Sequence, residues 1–308
     1  MSAAADLLGS RQGEAMAVAV ALMWAWGATL FTAAGRRAGA AAVNFARLPL
    51  AVVLLGSFHL LLDGRIWPAG LDGTAHAWLI VSGVVGLMLG DSLLFYAFTV
   101  VGPRRALAMF ATAPLFTAAT AWGLLGERLG PRALAGMALI VGGVMLAGLG
   151  RDEGGGPFRA LAPALRRRGL LAALAAGVCQ GLGATSAKLG MVTLSPLSAT
   201  LVRMTWGAVA MTLLVLWRGQ VRASTGRFRD RRALAPLLGA VVLGPFLGVW
   251  GSLYAFKHAN AGVAMALIGT TPITVMLPSW LVYRDHPSRH GLLGAVAAVA
   301  GGALLFLR

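Results

Sequence analysis

The chain has 308 residues, of which 58% are hydrophobic and 12% charged, and its mean hydropathy is +0.78. That excludes an ordinary water-soluble domain, in which about a quarter of the residues carry charge. Lys and Arg number 26 against 10 Asp and Glu, for a net charge of +16; these cations sit in short breaks between long apolar runs, which points them at lipid headgroups and not at nucleic acid.

Asp6 and Glu14 flank Arg11 near the start, and the apolar run after Glu14 is long enough to span a bilayer. It reads as a first span and not as a signal peptide. With it the chain has ten spans, in order at 15–35, 45–62, 75–99, 105–125, 131–149, 169–189, 197–217, 233–256, 261–282 and 288–307. Their continuous apolarity calls for helices, because barrel strands would alternate. Small residues recur four apart at Gly86/Gly90, Gly177/Gly181 and Gly244/Gly248, a spacing that lets helix backbones approach closely. The longest breaks are Gly150 to Arg168 and Arg218 to Arg232, the first with room for a short interfacial helix around Phe158 to Leu165. The single cysteine, Cys179, excludes an intrachain disulfide and reads as packing.

The chain repeats itself. Shifted by 158 positions, Gly86 to Leu149 lies on Gly244 to Leu307 without a gap, placing Pro114 on Pro272, Trp122 on Trp280 and Glu127 on Asp285. Upstream, a shift of 156 lays Gly27-Ala28-Thr29 on Gly183-Ala184-Thr185 and Arg47 on Arg203. Each copy holds five spans, an odd number, so the two copies enter the membrane in opposite directions. The expected fold is an all-α integral membrane protein of ten transmembrane helices, built as two inverted five-helix repeats. Residues 1–150 form the first repeat, 151–168 a basic linker and 169–308 the second. With Arg47 and Arg203 set aside, odd-numbered loops carry 17 of the Lys and Arg, and the termini with the even-numbered loops carry 7. Positive charge stays inside, so the odd loops are expected in the cytoplasm.

Ala108 to Gly150 resembles the drug/metabolite transporter superfamily in its two-domain, EamA-like branch. The resemblance rests on a span with a central Pro114, a Trp and apolar run, an acid at the span end in Glu127-Arg128-Leu129, and a short Gly/Ala-rich span from Gly136 to Gly148. Pro272, Trp280, Asp285, Gly294 and Gly301 repeat that order, and Trp26-Gly27, Arg47 and Arg203 fit it. Asp285 stands where Glu is usual, with Pro287 just after it. The resemblance implies a ten-helix exporter of a bacterial-type inner membrane, working by alternating access around a central cavity. Its cargo would be small metabolites, amino acids above all, with lipid as its other partner, and a monomer is expected.

Asp91 is the acid well inside a span, an expensive placement that marks a functional site by default. It reads as a substrate-amine contact, a proton-coupling group, or a carboxylate bonded to a neighbouring helix. Pro114 and Pro272 sit mid-span, where each removes a helix hydrogen bond and kinks the helix, and Thr112, Thr270 and Thr271 lie beside them with hydroxyls for the freed backbone or for a ligand. Gln180, with Thr185 and Ser186 below it, is a polar cluster suited to interhelix bonding or substrate contact. Tyr96 and Trp250 are further candidates for the cavity wall, as are Trp24, Ser252 and Tyr254. Glu127 and Asp285 read as structural or gating groups at helix ends. Arg47 and Arg203 lie near helix starts, placed to catch an anionic group or lipid headgroups or to snorkel; Arg47 reads as snorkelling to the interface, and Arg203, with apolar flanks on both sides, as able to bond a partner. His59 reads as interfacial.

No phosphate loop, metal-spaced His/Cys/Asp set or Ser/His/Asp frame appears, so no enzyme and no cofactor is expected. The rivals are an exporter of cationic amphipaths, with Asp91 as the cation's partner, and a membrane-embedded structural or enzymatic subunit.

Overall fold

A chain in lipid must satisfy its own backbone N–H and C=O groups, and these apolar runs do so as helices. The computed structural model describes residues 11–38, 40–101, 103–149, 162–221, 231–275, 278, 281 and 289–306, and no strand occurs among them. The first three spans are α1 (Gln12–Ala38), α2 (Ala40–Asp63) and a composite of α3 (Gly73–Val81), a π-helical segment (Ser82–Gly90) and α4 (Asp91–Val101). The fourth is broken into α5 (Pro103–Phe110) and α6 (Ala113–Leu125), and the fifth is α7 (Pro131–Leu149). The second half runs through α8 (Pro163–Gly190), α9 (Pro196–Trp217), and α10 (Arg231–Val241) joined by a π-helical segment (Val242–Phe246) to α11 (Leu247–His258). It ends with α12 (Ala261–Ile268), α13 (Thr271–Thr274) and α14 (Arg289–Phe306).

These elements fall into the ten expected groups. Seven helical stretches are long and apolar enough to cross a membrane, and Pro131–Leu146 and Leu293–Leu305 are shorter apolar helices. Local sequence sets the ends. Proline opens α5, α7, α8 and α9, where its missing N–H costs nothing. Ser195 caps α9 by accepting from the Ser198 amide at 3.1 Å. Gly126 closes α6 with φ +68°, a conformation that favours glycine. The triplet Arg166-Arg167-Arg168 lies inside α8, so the end of the basic stretch is helical.

The breaks repeat as the sequence does. Ala111 and Thr112 part α5 from α6; their counterparts under the shift of 158, Gly269 and Thr270, part α12 from α13. The two π-helical segments are also counterparts. Mid-span Pro114 and Pro272 were expected to kink continuous helices, but each stands near the start of a new one.

Glycine sets the seams between the halves. A Cβ on Gly136 would lie 2.7 Å from the Gly301 carbonyl oxygen, and one on Gly143 would lie 2.5 Å from that of Gly294. These are reciprocal, since Gly294 is the counterpart of Gly136 and Gly301 of Gly143. α7 and α14 therefore run antiparallel at backbone contact. The same relation holds for Gly86 against Gly183 and Gly27 against Gly244, which join the third span to α8 and α1 to the eighth span. Outside this core the surface is apolar, with Trp217 83% and Trp122 65% exposed at helix ends, as interfacial tryptophans are.

Candidate functional site

The π-helical segment of the third span ends at Gly90, and Asp91 opens the helix that follows. Its carboxylate reaches across to α2 and forms a short ion pair with the Arg47 Nη2. The Arg47 guanidinium carbon also stands 5.2 Å from the centre of the Phe95 ring, one turn beyond Asp91. The expectation that Arg47 snorkels outward is thereby corrected. α2 begins at Ala40, two turns earlier, so Arg47 is well inside the helix and faces an acid. Of the three readings of Asp91, the structure displays bonding to a neighbouring helix.

This pair sits on the wall of a cavity of about 180 Å³. Trp24, Gly27 and Phe31 of α1 contribute to the wall, with Phe110 and Pro114 on either side of the first break. From the second half come Gln180, Met204, Gly244, Val249, Met265 and Thr271. Both broken spans meet it, which places helix termini beside its wall. Most of the wall is apolar, with Asp91, Arg47, Gln180 and Thr271 as fixing points. Beyond Gln180 and Val249 a smaller space adjoins it, lined by Arg203, Ser252 and Phe256.

Asp91, Pro114, Gln180 and Thr271 are thus brought together, with Arg47 joining them and Arg203 at the adjoining end. Five candidates lie elsewhere, among them Tyr254, whose hydroxyl donates to Gln12 Oε1 at 2.8 Å. Tyr96 is 43% exposed; five residues beyond Asp91 it stands about 140° round the helix and points outward. Trp250, next to Val249, turns away from the cavity and packs against Phe58 and Phe246, with ring centres 5.5 and 6.1 Å away. The Thr112 and Thr270 hydroxyls each donate to the carbonyl three residues back, Met109 and Leu267, at 2.7 Å, and neither lines the cavity. Thr271 donates to the Ile268 carbonyl at 2.6 Å, the group that Pro272 leaves without a helix partner. The Pro272 side chain and the whole of Asp285 lie outside the described residues.

Glu127 works at a distance from the cavity, on the face of the even-numbered loops. Its Oε1 stands 2.6 Å from Lys188 Nζ at the end of α8, and its Oε2 accepts the Ala261 amide at the start of α12 at 2.9 Å. Lys188 also donates to the Ala259 carbonyl at 2.7 Å. One carboxylate thus ties together the ends of α6, α8 and α12. His59, expected at an interface, is buried between Ser198 Oγ at 3.0 Å and the Arg65 carbonyl at 2.6 Å.

The aromatic and methionine wall (Phe31, Phe95, Phe110, Met204, Met265) was not singled out in the sequence. Its signal was faint, since each residue sits in an apolar run where lipid-facing and cavity-facing positions look alike. Among the described residues no cluster of three His, Cys, Asp or Glu suits a metal ion.

The sequence matches the family model of the EamA-like transporter family twice, over residues 11–149 and 167–307. A solved structure titled only "Crystal structure of protein" superposes with a TM-score of 0.75 at 19% identity, covering 95% of this chain and 96% of that one. At that identity the likeness concerns the fold. No curated protein sequence matches the chain.

Proposed function

The chain belongs to the EamA-like transporter family, and from that premise we propose that it is a secondary transporter exporting small metabolites, amino acids first among them, by alternating access. The observation that carries this reading is the cavity, whose wall draws on both repeats and on both broken spans. Its volume of about 180 Å³ lies below the roughly 300–1,000 Å³ of pockets for drug-sized ligands, which favours a small metabolite. An apolar wall with few polar fixing points accepts varied side chains. The reciprocal glycine pairs support an inverted arrangement of residues 1–150 and 169–308 about the linker 151–168, with substrate held at the interface of the halves.

Rocking of the halves needs a face that closes and opens. Glu127, with Lys188 and the Ala261 amide, holds the even-loop face shut, and Asp285 is the corresponding group of the other repeat. The odd loops, richer in Lys and Arg, face the cytoplasm. The protein works as a monomer. The rival reading, export of cationic amphipaths, needs a free carboxylate, and Arg47 already occupies that of Asp91.

The test is counterflow in proteoliposomes loaded with unlabelled amino acids and presented with labelled threonine. Uptake above empty vesicles, competed by several other amino acids, is expected. No exchange with any amino acid would refute the substrate class.

A further inference from the structure

We infer that Arg203 is the anion-binding residue of the cavity and that the cargo presents a carboxylate to it. This rests on the transport reading above and names the chemistry of what is carried. Arg203 of α9 is 3% exposed, and its Nε has no hydrogen-bond partner among the described residues. A buried guanidinium left so is costly, and such a charge persists where a partner arrives. Space is made for it, because Gly86 has no side chain; a Cβ there would lie 3.3 Å from the Arg203 Nη2. The small space that Arg203 borders shares Trp24, Leu87, Gln180, Val249 and Met265 with the main cavity, so the two adjoin across these side chains.

The repeat says what the partner is. Arg203 is the counterpart of Arg47, and Val249 is the counterpart of Asp91. In the first half the arginine of the second span meets an acid of the third. In the second half the corresponding arginine, Arg203, lines the same space as Val249. Asp91 makes no hydrogen bond to Arg203 among the described residues, its Oδ2 being paired with Arg47. Among the described residues lining the cavity and its adjoining space, two arginines face one carboxylate. A cargo carboxylate takes the place that the second half leaves to Val249 and brings the charges into balance. The apolar wall receives the rest of the molecule.

The experiment uses the purified full chain and three probes with one apolar body: 4-methylpentanoate, 4-methylpentanamide and 3-methylbutylamine. Binding is read from tryptophan fluorescence, Trp24 being on the wall of both spaces. The carboxylate is expected to bind about ten- to a hundredfold tighter than the amide, the range of one charged hydrogen bond. Arg203→Gln erases that ratio. Val249→Asp, which restores the missing acid within the chain and keeps Arg203 paired, erases it too and does not depend on the first variant folding. Equal binding of the amide or the amine, no binding of any probe, or a carboxylate preference that survives both substitutions overturns the inference. Threonine counterflow separates this from the function. Absent counterflow with an intact carboxylate preference sinks the amino-acid reading and leaves Arg203 standing. Counterflow that threonine amide competes as well as threonine does the reverse.

Discussion

Replacing Asp91 by asparagine keeps the shape of the side chain and removes its charge, so the cost is electrostatic. Two unit charges about 4 Å apart attract by about 4 kcal/mol at an effective dielectric of about 20. The Arg47 and Asp91 side chains are 11% and 16% exposed, so solvent screens them little. Arg47 recovers part of the loss against the Phe95 ring and toward the cavity. Asp91→Asn should therefore destabilise the protein by about 3 kcal/mol, at the low end for breaking a buried pair. Reversible unfolding in mixed SDS micelles measures it, with Arg47→Gln and the double variant alongside. The double variant leaves neither charge of the pair orphaned and is expected within about 1 kcal/mol of the parent. Its counterflow then separates roles: transport recovers with stability if Asp91 serves Arg47, and stays lost if Asp91 also handles substrate or protons. A cost below about 1 kcal/mol for Asp91→Asn, or a double variant as unstable as the two singles summed, would refute the reasoning.

Neighbouring glycines on α7 should part sharply. Gly143→Ala forces a methyl against the Gly294 carbonyl and should cost about 1–3 kcal/mol, whereas Gly142→Ala meets nothing within 4 Å and should be neutral or mildly stabilising in the same unfolding assay. Glu127→Ala removes both the Lys188 pair and the Ala261 cap. In a Cys179→Ala background it should speed maleimide labelling of a Ser252→Cys reporter by about tenfold for each ~1.4 kcal/mol taken from the closed state. An unchanged rate would remove Glu127 from the gate. Thr271→Val strips the hydroxyl from the Ile268 carbonyl and should cost about 1–2 kcal/mol of stability by SDS unfolding.

The helices and their grouping were legible because apolar run length and the repeat are properties of the chain itself. Asp91 and Gln180 stood out for the same reason, as polar groups where lipid penalises them. What escaped were facts of phase and of partnership. Span three winds as a π-helix just before Asp91, so counting along an ideal helix from the start of the span does not give the face on which Asp91, Phe95 and Tyr96 lie. Arg47 looked like an end residue because the apolar run begins near it, while the helix itself starts at Ala40. Its partner lies 44 residues away, on another span, and only the fold brings them together. The matched prolines were visible as interruptions, but sequence alone gave a kink where the chain stops one helix and starts another.

The glycine seams have a consequence for how such a chain changes over time. Gly136 meets the counterpart of Gly143, and Gly143 meets the counterpart of Gly136. Each five-helix unit therefore carries both sides of its own mating surface, like a coupling that fits itself when turned over. Bulk added at one position of the seam finds no relief within its own half, because the backbone it strikes belongs to the other. The seam carries its glycines in matched sets, while the cavity positions Asp91 and Val249 differ between the halves. A symmetric frame thus encloses an asymmetric interior, with an acid in one half and valine at the matching position of the other.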